Sequence, residues 1–231
     1  MNYPYFIFNG IDSRSVGVWV SQYPDRIRAV ERVNRITIPG RAGQLTLIEG
    51  EAVYEPINLQ IRVQTLRKND FIALQEWLHG AGELVIGHEP DKAYNARIVD
   101  EVVFTKFSND IAEATIAFQC EPFKHQYPLE LPVTLTTAGT VINSGNVPAK
   151  PFIRLVTSSD VTLTVGDTVF EIAGETGTID IDCAACMVTK DGLSILSATS
   201  GDFPELAVGV NEISWTGTVT SATINVNSRW L

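Results

Sequence analysis

Apolar and polar residues alternate with period two along most of this chain, and one short stretch switches to the spacing of a helix. Between Pro56 and Gln64, Ile57, Leu59, Ile61 and Val63 fall on one side and Asn58, Gln60, Arg62 and Gln64 on the other. Successive side chains of a strand point to opposite faces, so this run predicts a strand with one buried and one wet face. The switch follows at Asn69–Gly80, where Phe71, Leu74, Trp77 and Leu78 recur at three and four residues and form one apolar face. Asn69 or Thr65 can cap the start of that helix, and Gly80 suits the left-handed position that ends one. Trp77 lies on the apolar stripe and reads as core.

The flanking segments complete a mostly β first part. Tyr5 and Ile7, then Val16, Val18 and Val20, alternate around turns at Asn9-Gly10 and Asp12-Ser13. Val33–Ile38 and Leu45–Ile48 flank Pro39-Gly40-Arg41-Ala42-Gly43, so Arg32–Gly50 predicts a hairpin with a tight turn or projecting loop. Gly82–Ile86, Tyr94–Val103 and Ile111–Cys120 predict a meander with turns at Glu89-Pro90-Asp91-Lys92 and Ser108-Asn109-Asp110. Pro122, Pro128 and Pro132 then mark a seam across 121–132, because proline interrupts both helical and ladder hydrogen bonding. Beyond it the chain is rich in Thr, Val, Ile and Gly and shows no helical period. Short strands are expected at 133–137, 152–157, 161–165, 168–173, 178–181, 212–215 and 222–226. Many short strands with frequent turn signals, such as Ser144-Gly145-Asn146 and Gly166-Asp167, indicate a β-sandwich. Two domains are therefore expected, 1–130 and 131–231, with a final strand able to return to the first.

Charge separates these parts and narrows the function. Residues 1–130 hold 13 basic and 17 acidic side chains, and 131–231 hold 4 and 10. The formal net charge of -10 disfavours charge-driven binding to nucleic acid or anionic lipid. The opening residues have no basic start and only a short apolar run, so neither a secretory signal nor a membrane span is expected.

Catalytic chemistry finds little footing. No nucleophile elbow, phosphate loop or His-Glu-x-x-His occurs, and His79, His88 and His125 are scattered. Cys183-Ala184-Ala185-Cys186 has metal-ligand spacing, but a structural zinc site needs a second pair and only Cys120 remains. A bend between two strands is the expected reading. Asp180 and Asp182 share a strand face, where paired carboxylates can serve glycoside hydrolysis or calcium binding. Solvated acids opposite Ile179 and Ile181 are the stronger reading. Trp215, Trp230, Phe203 and Tyr127 are candidate sugar-stacking rings, although alternation sets Trp215 beside Ile213, on a core face. No catalytic residue, cofactor or metal is expected.

Ordered motifs along nearly the whole chain carry a resemblance. They begin at Phe6-Ile7-Phe8-Asn9-Gly10-Ile11-Asp12-Ser13 with Val16-Gly17-Val18, and continue at Ile38-Pro39-Gly40-Arg41-Ala42-Gly43. Leu74-Gln75-Glu76-Trp77-Leu78 with Gly80 and Gly82-Glu83-Leu84 follows, then Ala93-Tyr94-Asn95-Ala96-Arg97 and Phe118-Gln119-Cys120-Glu121-Pro122. The second part adds Asn143-Ser144-Gly145-Asn146, Ala149-Lys150-Pro151, and Ser200-Gly201-Asp202-Phe203-Pro204-Glu205-Leu206 through Gly209-Val210-Asn211. In this order they resemble the distal tail protein (Dit) family, the baseplate hub of long, flexible-tailed bacteriophages.

The resemblance implies a mainly β fold, with a β-sandwich-like, ring-forming N-terminal domain containing one packed helix and a galectin-like C-terminal β-sandwich. It implies a homo-hexamer, as one ring or two back to back, joining tail tube protein to tail tip or tail-associated protein and carrying receptor-binding protein. The subunit would sit at the virion tail tip after assembly in the host cytoplasm, with DNA only passing through its channel and no membrane partner. The chain is short for an inserted carbohydrate-binding module. Ring closure needs heterologous interfaces, and Arg35 to Gly50, with Arg35, Pro39, Gly40, Arg41 and Gly43, is the candidate arm, a plain surface hairpin being the other reading. A carbohydrate-binding β-sandwich acting alone is the rival expectation.

Overall fold

A computed structural model describes residues 3–48, 53–66, 71–106 and 110–231. These separate into two compact units, one of residues 1–127 with Leu231 and one of 128–230. The ends of several expected elements (Gly50, the Asn69 cap and Ser108-Asn109) lie outside the described residues.

The first unit contains β1 (Phe6–Phe8), β2 (Ile11–Asp12), β3 (Val18–Gln22), β4 (Val33–Thr37), β5 (Gln44–Ile48), β6 (Ile57–Leu66), α1 (Phe71–Trp77), β7 (Ala81–Ile86), β8 (Lys92–Ile98), β9 (Thr105–Lys106) and β10 (Ile111–Gln126). Its main sheet runs β2-β1-β7-β8-β10-β6-β3, with β9 also beside β10. The alternation read in β6 holds residue for residue: Ile57, Leu59, Ile61 and Val63 are buried, whereas Asn58, Gln60 and Arg62 are exposed. They join Phe6, Phe8, Ile116 and Phe118 in one core. Burying an apolar side chain of this size contributes about 1.5–3 kcal/mol, which is why the period-two pattern selects the sheet's inner face.

Helix α1 presents its apolar stripe to that core. Leu74 is buried, and Leu78, just beyond the helix, is buried too. Trp77 stacks on Phe6 with ring centroids 5.5 Å apart, and its Nε1 donates to the Phe8 carbonyl at 3.1 Å. The indole thus fills the core while its one polar atom is satisfied. Gly80 takes φ +77°, the left-handed conformation expected of it. Thr65 belongs to β6, and its Oγ1 donates to the Gly17 carbonyl at 2.9 Å.

Two strand boundaries differ from expectation. β8 stops at Ile98, so 99–103 is irregular rather than strand; Val102 stays buried there, with its carbonyl accepting from Gln75 Nε2 at 2.9 Å. β10 does not end at Cys120 but runs to Gln126, and its register against β8 shifts between Cys120 and Lys124. Pro122 lies inside that shift. Its missing N–H falls where the ladder is already broken, which is how a strand tolerates a proline.

The second unit is built from β11 (Val133–Leu135), β12 (Gly139–Asn143), β13 (Phe152–Thr157), β14 (Val161–Val165), β15 (Thr168–Ile172), β16 (Gly177–Asp182), β17 (Met187–Lys190), β18 (Leu193–Ser194), β19 (Thr199–Gly201), β20 (Gly209–Thr216) and β21 (Val219–Asn225). One sheet runs β11-β21-β13-β16-β17-β18 and the other β12-β20-β14-β15-β19. Their inner residues, among them Leu155, Leu163, Phe170, Ile179, Ile213 and Ile224, share one core. Four strands, β12 and β17 to β19, were not expected. β18 and β19 have two and three residues, too few to show a period, and β12 alternates over only five.

Candidate assembly interface

The arm candidate folds into a two-stranded ribbon, β4 and β5, that joins none of the three larger sheets. Its turn is built by its sequence. Pro39 supplies the fixed φ of a first turn position, and Gly40 adopts φ +81°, which β-turns of this kind demand of the residue after it. The Arg41 amide closes the turn on the Ile38 carbonyl at 3.1 Å, and Gly43 is also at φ +81°. Pro39, Gly40, Arg41 and Gly43 therefore stand together at the tip, while Arg35 lies on the strand below, opposite Thr46.

The register sorts the ribbon into two faces. Arg35 and Thr37 lie with Thr46 and Gln44, whereas Ile36 pairs with Leu45, beside Asn34 with Leu47. The second face is apolar and carries nothing: Ile36 is 40% and Leu47 46% exposed. Ile38 and Ile48 are exposed as well. An isolated two-stranded hairpin is marginal in water, so covering this face would stabilise the ribbon. The signal was present in the alternation of Ile36 with Ile38 and of Leu45 with Leu47. The turn residues alone do not reveal it.

Charge distinguishes the ribbon from the rest of the chain. From Val33 to Ile48 there are two arginines and no acidic residue, within a protein of net charge -10. Arg32, at the base, pairs with Glu55 at 3.1 Å, whereas Arg35 and Arg41 form no ion pair among the described residues.

The other sequence candidates have structural occupations. Arg154 clamps Asp180 with two hydrogen bonds of 2.7 and 2.9 Å, which holds the Asp180 carboxyl below the usual carboxylate range. Asp182 Oδ1 accepts the Ala184 and Ala185 amides at 3.0 and 2.9 Å and so organises the turn between β16 and β17. Cys183 is buried and Cys186 exposed in that turn; burial, with Asp182 nearby, pushes the Cys183 thiol up to about 12. Cys120 is likewise raised to about 12 by burial. Both thiols are poor nucleophiles at neutral pH. Among the described residues no cluster of three or more His, Cys, Asp or Glu is placed to hold a metal, and no helix is long and apolar enough to cross a membrane.

The aromatic candidates do not form a platform. Phe203 packs on Phe170 with centroids 5.0 Å apart, and Trp215 packs against the sandwich core. Tyr127 and Trp230 are half-buried. The histidines stay apart: His125 Nε2 lies 2.9 Å from Glu83 Oε1, His79 bonds the Glu76 carbonyl, and His88 meets the Tyr23 ring edge-on at 5.1 Å.

No protein-family model matches the chain, and no curated protein matches it. Among solved structures, it is similar to the crystal structure of the SPP1 phage Dit (gp 19.1) protein, described as a paradigm of the hub adsorption apparatus in phages infecting Gram-positive hosts. The likeness covers 100% of both chains with a TM-score of 0.74, at 18% sequence identity. The fold, mostly β with one helix, is that of the SPP1 Dit protein.

Proposed function

We propose that this chain is a structural subunit of a long-tailed phage or prophage baseplate. In this reading six copies close into a ring, singly or as two rings back to back, that joins tail tube protein to tail tip protein and anchors receptor-binding protein. The subunit works in the virion tail tip by binding its neighbours rather than by catalysis, and is assembled in the host cytoplasm. The observation that carries the reading is the end-to-end likeness to the SPP1 Dit fold, which spans both units rather than one.

The geometry supports it independently. The main candidate for a reactive carboxylate pair is held by Arg154 and by turn amides, and the buried thiols are raised. What stands open is an amphipathic ribbon, and an open ribbon suits the heterologous contact that a ring needs. The Arg35, Pro39, Gly40, Arg41 and Gly43 hairpin is the arm in this reading. An acidic subunit also suits a conduit for DNA, since basic walls would retain phosphates.

Light scattering after size exclusion, across a concentration series with and without the tail tube and tip proteins, tests this reading. Six or twelve subunits, with a central channel in negative stain, is the expected result. A monomer under every condition, with glycan binding in its place, would overturn it.

A further inference from the structure

Building on the ring reading, we propose where the ribbon lands: the apolar face of β4 and β5 from one copy covers the groove between α1 and the 99–103 loop of the next copy. The groove has a volume of about 440 Å³ and is lined by Gln75, Leu78, Ile98, Val99, Val102 and Val103. Val99 and Val103 are 49% and 56% exposed on an irregular segment that follows the end of β8. Asp100 and Glu101, also in the lining and fully at the surface, give the groove a double negative charge.

Two complementarities select this pairing. The first is apolar. Ile36 and Leu47, with the half-buried Leu45, form a face left exposed among the described residues, and Val99 and Val103 form another. Joining them removes both from water. The second is charge. The ribbon is acid-free and carries Arg41 in its turn, and the groove carries Asp100 and Glu101. Opposite patches on copies that otherwise repel each other, at net charge -10, fix orientation as well as attraction.

Another apolar cleft of the first unit lies beside Tyr3, Gly17, Val18 and Trp19. It is flanked by Arg14, which Asp12 already neutralises at 2.5 Å, so it offers the arginines of the ribbon no attraction. Because ribbon and groove are different surfaces of one unit, the contact is heterologous. It leaves each copy with one ribbon given and one groove filled, the condition for a closed ring.

The test uses the full chain with Cys186→Ser, which removes the exposed native thiol and leaves only the two buried ones. One version carries Ile38→Cys and the other Val103→Cys, and the two are mixed with a short bis-maleimide. A mixed cross-linked dimer is expected, in excess over either homodimer. Adding Asp100→Arg with Glu101→Arg to the Val103→Cys chain should lower its yield at least about tenfold. Adding Arg41→Glu to the partner should then restore part of it. These three charged side chains are exposed, and unchanged melting confirms that each variant folds.

A mixture of ribbon-reversed and groove-reversed chains without cysteines gives a second readout. In an alternating ring the reversed ribbon meets the reversed groove and the native ribbon meets the native groove, so both contacts of each pair are restored. Each variant alone should fail to form rings, because its ribbon and groove then carry like charge. Rings that persist undiminished in groove-reversed chains, or cross-links no greater than the homodimers in an assembling protein, overturn the groove while leaving the ring reading intact. A monomer at every concentration with no cross-link overturns both.

Discussion

Two hairpins of equal length show what separates a folding element from an assembling one. β14 and β15 and β4 and β5 are both antiparallel pairs of five-residue strands, each with a glycine at positive φ in the turn. In the first, Val161, Leu163, Val165, Phe170 and Ile172 are all buried against the opposing sheet. In the second, Ile36, Leu45 and Leu47 occupy the equivalent alternating positions and no sheet faces them. The local rules are the same. The difference is whether the same chain supplies the surface that covers the apolar face; in the proposed ring a neighbouring copy supplies it for the ribbon.

The comparison can be broken from its strong side first. Phe170→Ala removes a fully buried ring from the sandwich and should cost about 3–5 kcal/mol, read as a lower midpoint in denaturant. The turns, by contrast, should behave alike. A Cβ on Gly166 or on Gly40 meets no atom within 4 Å, so only the positive φ opposes alanine. Gly166→Ala should cost the fold about 1 kcal/mol, and Gly40→Ala should weaken assembly by a similar amount, measured as a shift in the association midpoint.

Acid sharpens the contrast between the units by acting on the first. Burial depresses the His88 pKa from its ordinary 6.5, with Arg26 and Lys124 adding to the effect and Glu89 opposing it. Its folded form therefore prefers to be neutral. The associated stability is complete above the unfolded value and is lost as pH falls from there through the lowered folded value. Melting of the first unit should soften on mild acidification, and His88→Gln should flatten that dependence.

The weak side gives the smallest effect on folding. Ile36→Ser with Leu47→Ser removes apolar groups that are already wet in the free subunit. The melting of an isolated subunit should move by no more than about 0.5 kcal/mol, while ring formation fails. A large loss of subunit stability would show instead that the ribbon packs within its own chain.

Sequence reading went furthest where one physical cause dominates locally. The β6 alternation, the α1 stripe and the left-handed Gly80 were all legible, because burial period and backbone sterics act within a few residues. The bend at Cys183–Cys186 was legible for the same reason. The arm candidates Pro39, Gly40, Arg41 and Gly43 were visible as turn residues, but the bare face beside them was not singled out. Strand ends were less legible. β10 runs past Pro122 because a register shift absorbs the missing donor, and that shift depends on the neighbouring β8. The 99–103 segment looks like strand in its valines yet leaves the ladder, with Gln75 of α1 holding the Val102 carbonyl in place of a strand partner.

The sequence by itself determined the mainly β character, the single amphipathic helix and its core face, the proline-rich seam, and the acid-poor ribbon with its tight turn. Those features follow from side-chain period, steric limits on φ and charge count, all of which are properties of short segments. Only the tertiary structure decided which strands neighbour one another, that Asp180 and Asp182 are held by Arg154 and by turn amides, and that Ile36 and Leu47 face no sheet while Phe170 does. Each of these depends on groups brought together from distant positions, and no local period records what a side chain will find on the other side.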